Sequence, residues 1–235
     1  MIGLRRPEAI QRLDLHLQCY DRTAQLGGGR AQACLGLVLL IGATGENHRA
    51  IGTAAIAKLA AAIKSGKGGP DIVQLDEPYL QAKTAEAEKF GVRAVNRALE
   101  GVKGTTALHV CFGYAAMVSD KSADGYSCLP LVEQIKVDQV SIEAAQPQSL
   151  NLKAALEALA TKTIMVGVIN LGDETPETPE IVADRIRKAL KYISPERLIA
   201  APDCGLKYLP RESARAKLHA LAKGAAIVNK ELGLL

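Results

Sequence analysis

His109 and Cys111 stand two residues apart in TALHVCFGY, residues 106–114, in a chain that has only four histidines and five cysteines. On a β-strand, positions i and i+2 share a face, so an imidazole and a thiol would leave this segment side by side. A neutral imidazole beside a thiolate suits zinc. The plainer alternative is a core cysteine next to a histidine satisfied by one hydrogen bond, and the isolated pair does not choose between them. Glu143 in VSIEAA and Cys204 in APDCGLK end two further apolar segments. His, Cys, Glu and Cys drawn from three separate strand ends could form a tetrahedral site that no local zinc-finger spacing would reveal.

Other polar residues at strand ends have more than one reading. Asp76, followed by Glu77 and Pro78, is by itself a strand-end carboxylate that caps a turn. Asp203, directly before Cys204, either orients a ligand or caps the turn into Gly205. Tyr79 and Tyr114 follow these segments and either wall a pocket or pack as ordinary aromatics. His16 and Cys19 are three apart on a strand-like stretch, so they face opposite sides and make no metal pair. Cys34 and Cys128 read as packing residues, and His48 and His219 as surface or helix positions. QLGGGRAQ and IKSGKGGP fit neither the dinucleotide fingerprint nor a phosphate-binding P-loop and read as loops.

The elements that must position these residues follow a regular alternation from about residue 70 onward. Strands are expected at 70–78, 106–113, 138–145, 163–172 and 197–205, with helices around 84–101, 129–136, 151–160, 178–192 and 211–230. In the third helix, Leu152, Ala155, Leu156 and Leu159 line one face. Such βα repetition implies a parallel sheet whose carboxyl ends gather at one face, where sites form. The first 69 residues fit less well. Leu13, Leu15, Leu17 and Cys19 alternate with polar residues as a half-buried strand, LGLVLLIGA is a second strand candidate, and residues 50–66 read as a helix. That gives seven strands, one short of a closed eight-stranded barrel. The expectation is therefore one α/β domain over residues 1–235, a TIM (β/α)8-type barrel incomplete or irregular on its amino-terminal side.

Composition narrows the function classes. With 235 residues, 48% of them apolar, the chain can bury one large core. A net charge of +4 and 3% aromatic residues leave little for a polyanion or for base stacking, so no nucleic-acid partner is expected. The run from Ala33 to Ala43 is shorter than the roughly 20 residues that span a bilayer, and the basic opening MIGLRRPEAIQR lacks an apolar stretch behind it. The expectation is a cytoplasmic protein with no membrane partner, in which reduced cysteines serve as ligands, reactive thiols or small core residues.

Taken together and in order, DIVQLDEPYL, HVCFGY, VSIEAAQ, ETPEIVADRIRKAL and APDCGLKYLPR resemble the catalytic domain of cobalamin-independent methionine synthases, in their short bacterial branch, over roughly residues 70–232. The resemblance implies a TIM barrel with zinc held by His109, Cys111, Glu143 and Cys204, Glu143 being the ligand that yields to an incoming thiol. It implies that Asp76 binds the amino group of homocysteine, with Glu77 a weaker candidate. The implied reaction is methyl transfer to homocysteine, with the donor, folate or a corrinoid protein, left open. Related zinc barrels alkylate other thiols, such as coenzyme M. Residues 1–69 lack the family's G-S-x-P-type turn and an expected glutamate, and VGVINLGDETPE lacks the histidine that serves the long enzymes as proton donor, leaving Asn170, Asp173, Glu174 or another route for that task. A shortened, non-catalytic chain that serves as a zinc-binding or partner-dependent protein is the alternative of another class, and an open barrel would suit pairing with a second copy.

Overall fold

The computed structural model describes residues 72–102, 104–112, 125–146, 150–206 and 208–234, together with the backbone of two short strands at 2–3 and 35–38. The strands are β1 (Ile2–Gly3), β2 (Leu35–Val38), β3 (Ile72–Asp76), β4 (Thr105–Val110), β5 (Gln139–Ile142), β6 (Thr163–Ile169) and β7 (Leu198–Pro202). Their order in the sheet is β1-β7-β6-β5-β4-β3-β2. The β2/β3, β3/β4 and β6/β7 pairings are parallel, and β1 runs antiparallel to β7. Among the described residues β1 and β2 end this order and no pairing closes it. The five strands expected from residue 70 onward are all present, and β2 lies in the expected LGLVLLIGA run. β1 was not expected, while the strand proposed at 13–19 and the helix at 50–66 fall outside the described residues.

The chain divides into two compact units. One comprises Arg30–Val140 with Ala158–Lys162. Here β3 buries Val73 and Leu75 and leaves Ile72, Gln74 and Asp76 half-buried, the alternation of a strand with one face packed under helices. The helices are α1 (Tyr79–Ala82), α2 (Thr84–Glu86), α3 (Val92–Leu99) and α4 (Leu129–Val132). The single helix expected at 84–101 is instead interrupted by a π-helical turn at Ala87–Gly91. Ala87, Gly91 and Val95 are all buried. A four-residue repeat overshoots an α-helical turn, and the wider turn keeps this stripe facing inward.

The other unit comprises Met1–Gly29, Ser141–Glu157 and Thr163–Leu235. β6 is buried from Ile164 through Ile169, as expected of a parallel strand covered on both faces. The helices here are α5 (Leu152–Ala158), α6 (Pro179–Leu190) and α7 (Arg211–Glu231). Thr178 caps α6 by accepting from the Ile181 amide at 3.3 Å, and Pro179 occupies the first helical position, where its missing N–H costs nothing. α6 and α7 pack closely at Gly224, where a Cβ would come within 2.5 Å of Val182 Cγ1. Before α6, Glu177 accepts from the Asn170 amide at 2.7 Å, from Arg185 at 3.0 Å and from the fully buried Lys217 at 3.0 Å. Burial opposes the Glu177 charge, yet these donors together hold its carboxyl below the usual value. They tie the segment after β6 to both helices.

Candidate metal centre

β4 brings His109 and Cys111 to its carboxyl end, and both are buried. Asp76 on β3 is the register partner of His109. The pairing runs one residue further, since the Glu77 amide donates to the His109 carbonyl at 3.0 Å. The next carbonyl, Val110, accepts from the Tyr126 hydroxyl at 2.9 Å, and the Tyr126 ring lies 4.5 Å from that of Phe112. Tyr126 is itself secured through its neighbours. Gln81 Oε1 accepts from the Ser127 and Cys128 amides at 3.0 and 3.3 Å, and its Nε2 donates to the Gly125 carbonyl at 3.4 Å. The main chain through His109 and Val110 is thus held at two successive carbonyls. Sequence reasoning singled out neither Tyr126 nor Gln81, because these contacts join residues far apart in the chain without a local pattern.

The turn after β3 is capped by Glu77, whose Oε1 accepts from the Tyr79 amide at 3.1 Å. Glu77 is fully buried. Asp76 is half-buried and accepts from Gln74 Nε2 at 2.8 Å.

Glu143, one residue beyond β5, is buried, and Cys204, just beyond β7, is half-buried. Asp203 does not cap the turn into Gly205. Its carboxylate instead accepts from the Ala144 and Ala145 amides, both at 2.9 Å, and from the Gln146 amide at 2.6 Å. Burial pushes the Asp203 carboxyl up to about 6 against the opposing pull of those three amides and of Arg185. Cys128 behaves as the expected packing residue: it is completely buried, and burial pushes its thiol up to about 12. His219 is exposed on α7.

One ligand atom from each of His109, Cys111, Glu143 and Cys204 lies within 4.8 Å of all the others. This is the only such group of three or more among the described residues. Zinc bonds of about 2.0–2.3 Å place tetrahedral donors about 3.5 Å apart, a spacing that the 4.8 Å bound admits. One imidazole, two thiolates and a carboxylate form a donor set that zinc favours, and the residues fit the ion. The candidates for a proton donor lie on the segment after β6. Asn170 Oδ1 accepts from the Gly172 amide at 2.8 Å and Asp173 Oδ1 from the Thr175 amide at 2.8 Å. Tyr114 lies outside the described residues.

The chain is similar to known proteins over most of its length. A family profile described as the catalytic domain of cobalamin-independent synthase matches residues 45–226, so the likeness begins well before residue 70. A methionine synthase of Thermococcus kodakarensis is 39% identical over 166 residues, covering 71% of this chain and 46% of that protein. One from Saccharolobus solfataricus is 35% identical over 170 residues, covering 71% and 47%. Among solved structures, a B12-independent methionine synthase from Shewanella sp. W3-18-1 in complex with selenomethionine superimposes with a TM-score of 0.65 at 32% identity, covering 78% of this chain and 57% of that one. The chain therefore spans about half the length of the curated relatives it matches.

Proposed function

We infer the function from one premise: this chain belongs to the cobalamin-independent methionine synthase family. The reading is a zinc-dependent methyltransferase that moves a methyl group from a folate donor to the sulfur of homocysteine, giving methionine. The convergence of His109, Cys111, Glu143 and Cys204 within 4.8 Å carries it, because thiol alkylation at neutral pH needs a way to keep the acceptor deprotonated.

His109, Cys111 and Cys204 would hold the zinc ion, with Glu143 as the fourth and exchangeable ligand. Bound there, zinc would stabilise the acceptor's thiolate and so supply a nucleophile at neutral pH. The remaining work belongs to the protein. Asp76, on the same sheet face as His109, is assigned the acceptor's ammonium group, an opposite charge that fixes which way the amino acid lies. Burial of His109, Cys111 and Glu143 excludes water from the thiolate and spares it protonation. As the S–CH3 bond forms and the donor's C–N bond breaks, the departing nitrogen takes a proton. Asn170, Asp173 and Glu174 lie on the strand-end segment from which it would come, delivered directly or through water.

The test is metal content and X-ray absorption of the purified protein, with and without homocysteine, beside Cys204→Ser. Near-stoichiometric zinc is expected, with an added sulfur in the coordination sphere on homocysteine and marked loss of metal in the variant. Absence of metal from the unmutated protein would overturn the reading. A coordination change with coenzyme M but not homocysteine would transfer the assignment to another acceptor, and turnover with a methyl-corrinoid but not methyltetrahydrofolate would transfer the donor.

A further inference from the structure

Asp203 stands directly after β7, is only 1% exposed, and touches the ends of three strands. Its amide donates to the Ile169 carbonyl at the end of β6 at 3.1 Å. Its carboxylate takes the three successive amides that follow Glu143, with Oδ1 on Ala144 and Ala145 and Oδ2 on Gln146. Hydrogen bonds to a charged acceptor are about twice as strong as neutral ones, and three of them immobilise the main chain next to Glu143.

The room for this carboxylate comes from Gly167 on β6. A Cβ at that position would overlap Asp203 Oδ1 outright and stand 3.0 Å from the Ala144 nitrogen. No alanine fits unless the carboxylate moves, and every other side chain is larger.

We propose that Asp203 is a positioning residue which fixes the spacing of the Glu143 carboxylate and the Cys204 thiol before any metal arrives, and that Gly167 is the residue which admits it. The consequence for metal affinity rests on the function proposed above, whereas the three-amide clamp does not. The clamp adjoins Glu143 on one side of the carboxylate, and Cys204 is the next residue along the chain on the other. Two donors are thereby held in place by backbone that an ion need not organise, which lowers the ordering cost of binding. Asparagine at 203 would keep one acceptor oxygen but turn an N–H2 toward the Gln146 amide, leaving two donors face to face.

The experiment uses the full chain freed of metal by chelation, as wild type, Asp203→Asn, Asp203→Ala, Gly167→Ala and the Asp203→Ala/Gly167→Ala double variant, each checked for cooperative unfolding. Cobalt(II) titration reads affinity and the visible ligand-field spectrum, and hydrogen exchange reads the Ala144, Ala145 and Gln146 amides without metal. Those amides should be protected in metal-free wild type and exchange faster in Asp203→Asn and Gly167→Ala. Asp203→Asn and Gly167→Ala should each lose about ten- to hundredfold in cobalt affinity with an altered spectrum. Gly167→Ala should cost clearly less once Asp203 is alanine, because no carboxylate is left to displace and only the 3.0 Å approaches to the Ala144 nitrogen and the Cα of residue 203 remain. Wild-type affinity and spectrum in a folded Asp203→Asn protein, or an equal effect of Gly167→Ala in both backgrounds, would overturn the proposal. Should wild type bind no cobalt, the metal reading fails, and the exchange data still decide the clamp: equal exchange in wild type and Asp203→Asn removes it.

Discussion

Asp76 and His109 face each other as register partners across the parallel β3/β4 pair, which sets a substrate-binding candidate beside a metal-ligand candidate on one sheet face. The half-buried Asp76 accepts a hydrogen bond from its strand neighbour Gln74. Asp76→Asn should therefore leave metal content unchanged while raising KM for homocysteine by more than about tenfold, the weight of one charge-assisted contact. Steady-state kinetics together with metal analysis check this, and loss of the ion in the variant would contradict the assignment.

Cysteine reactivity should separate the two kinds of thiol. Burial raises the Cys128 thiol to about 12, so almost no thiolate exists at neutral pH. Cys204 is half-buried. In metal-free protein iodoacetamide should modify Cys204 and spare Cys128, and added zinc should protect Cys204. Peptide mass mapping reads both outcomes, and labelling of the two at equal rates would refute the distinction.

Tyr126→Phe removes the hydroxyl that holds the Val110 carbonyl between His109 and Cys111 while keeping the ring against Phe112. The expected cost is about 1–2 kcal/mol of stability and about tenfold in metal affinity. Urea unfolding of metal-free protein and a competitive zinc titration measure the two separately.

Glu177 carries the acid sensitivity of the α6/α7 side. Its carboxyl is held below the ordinary 4.5, so its contribution to stability is fully present above that value and is lost as pH falls through the lower folded-state value. Glu177→Gln leaves the buried Lys217 ammonium facing a neutral amide, and should cost about 3 kcal/mol at neutral pH. The gap between wild type and variant should narrow steadily below pH 4.5. Denaturant melts across the acid range test this, and a constant gap would show that Glu177 is not the titrating group.

The strands from β3 to β7 were legible because each is a short apolar run closed by turn residues, and Leu156 and Leu159 are buried on the face that the helical period assigns them. β1 was not, since two residues carry no period. The break in the expected 84–101 helix was equally hidden: the stripe Ala87, Gly91, Val95 looks helical whichever turn width realises it. His109 and Cys111 could be paired from strand geometry alone, but Glu143 and Cys204 joined them through family motifs, because convergence of distant strand ends leaves no trace in spacing. Asp203 was visible as a polar neighbour of Cys204, yet its partners lie about sixty residues earlier, and nothing near Gly167 advertises the carboxylate it admits.

The fully buried Lys217 donates to the Thr175 carbonyl at 2.8 Å and to Glu177 at 3.0 Å. The other buried positions of α7 are Ala214, Ala220, Leu221, Gly224, Ala225, Val228 and Asn229, so most of the buried face is hydrocarbon. Sliding the helix by a turn would set an ammonium against hydrocarbon. Together with the close fit of Gly224 against Val182, the buried cation thus acts as a key that admits one axial position of an alanine-rich helix, contributing uniqueness of docking more than strength.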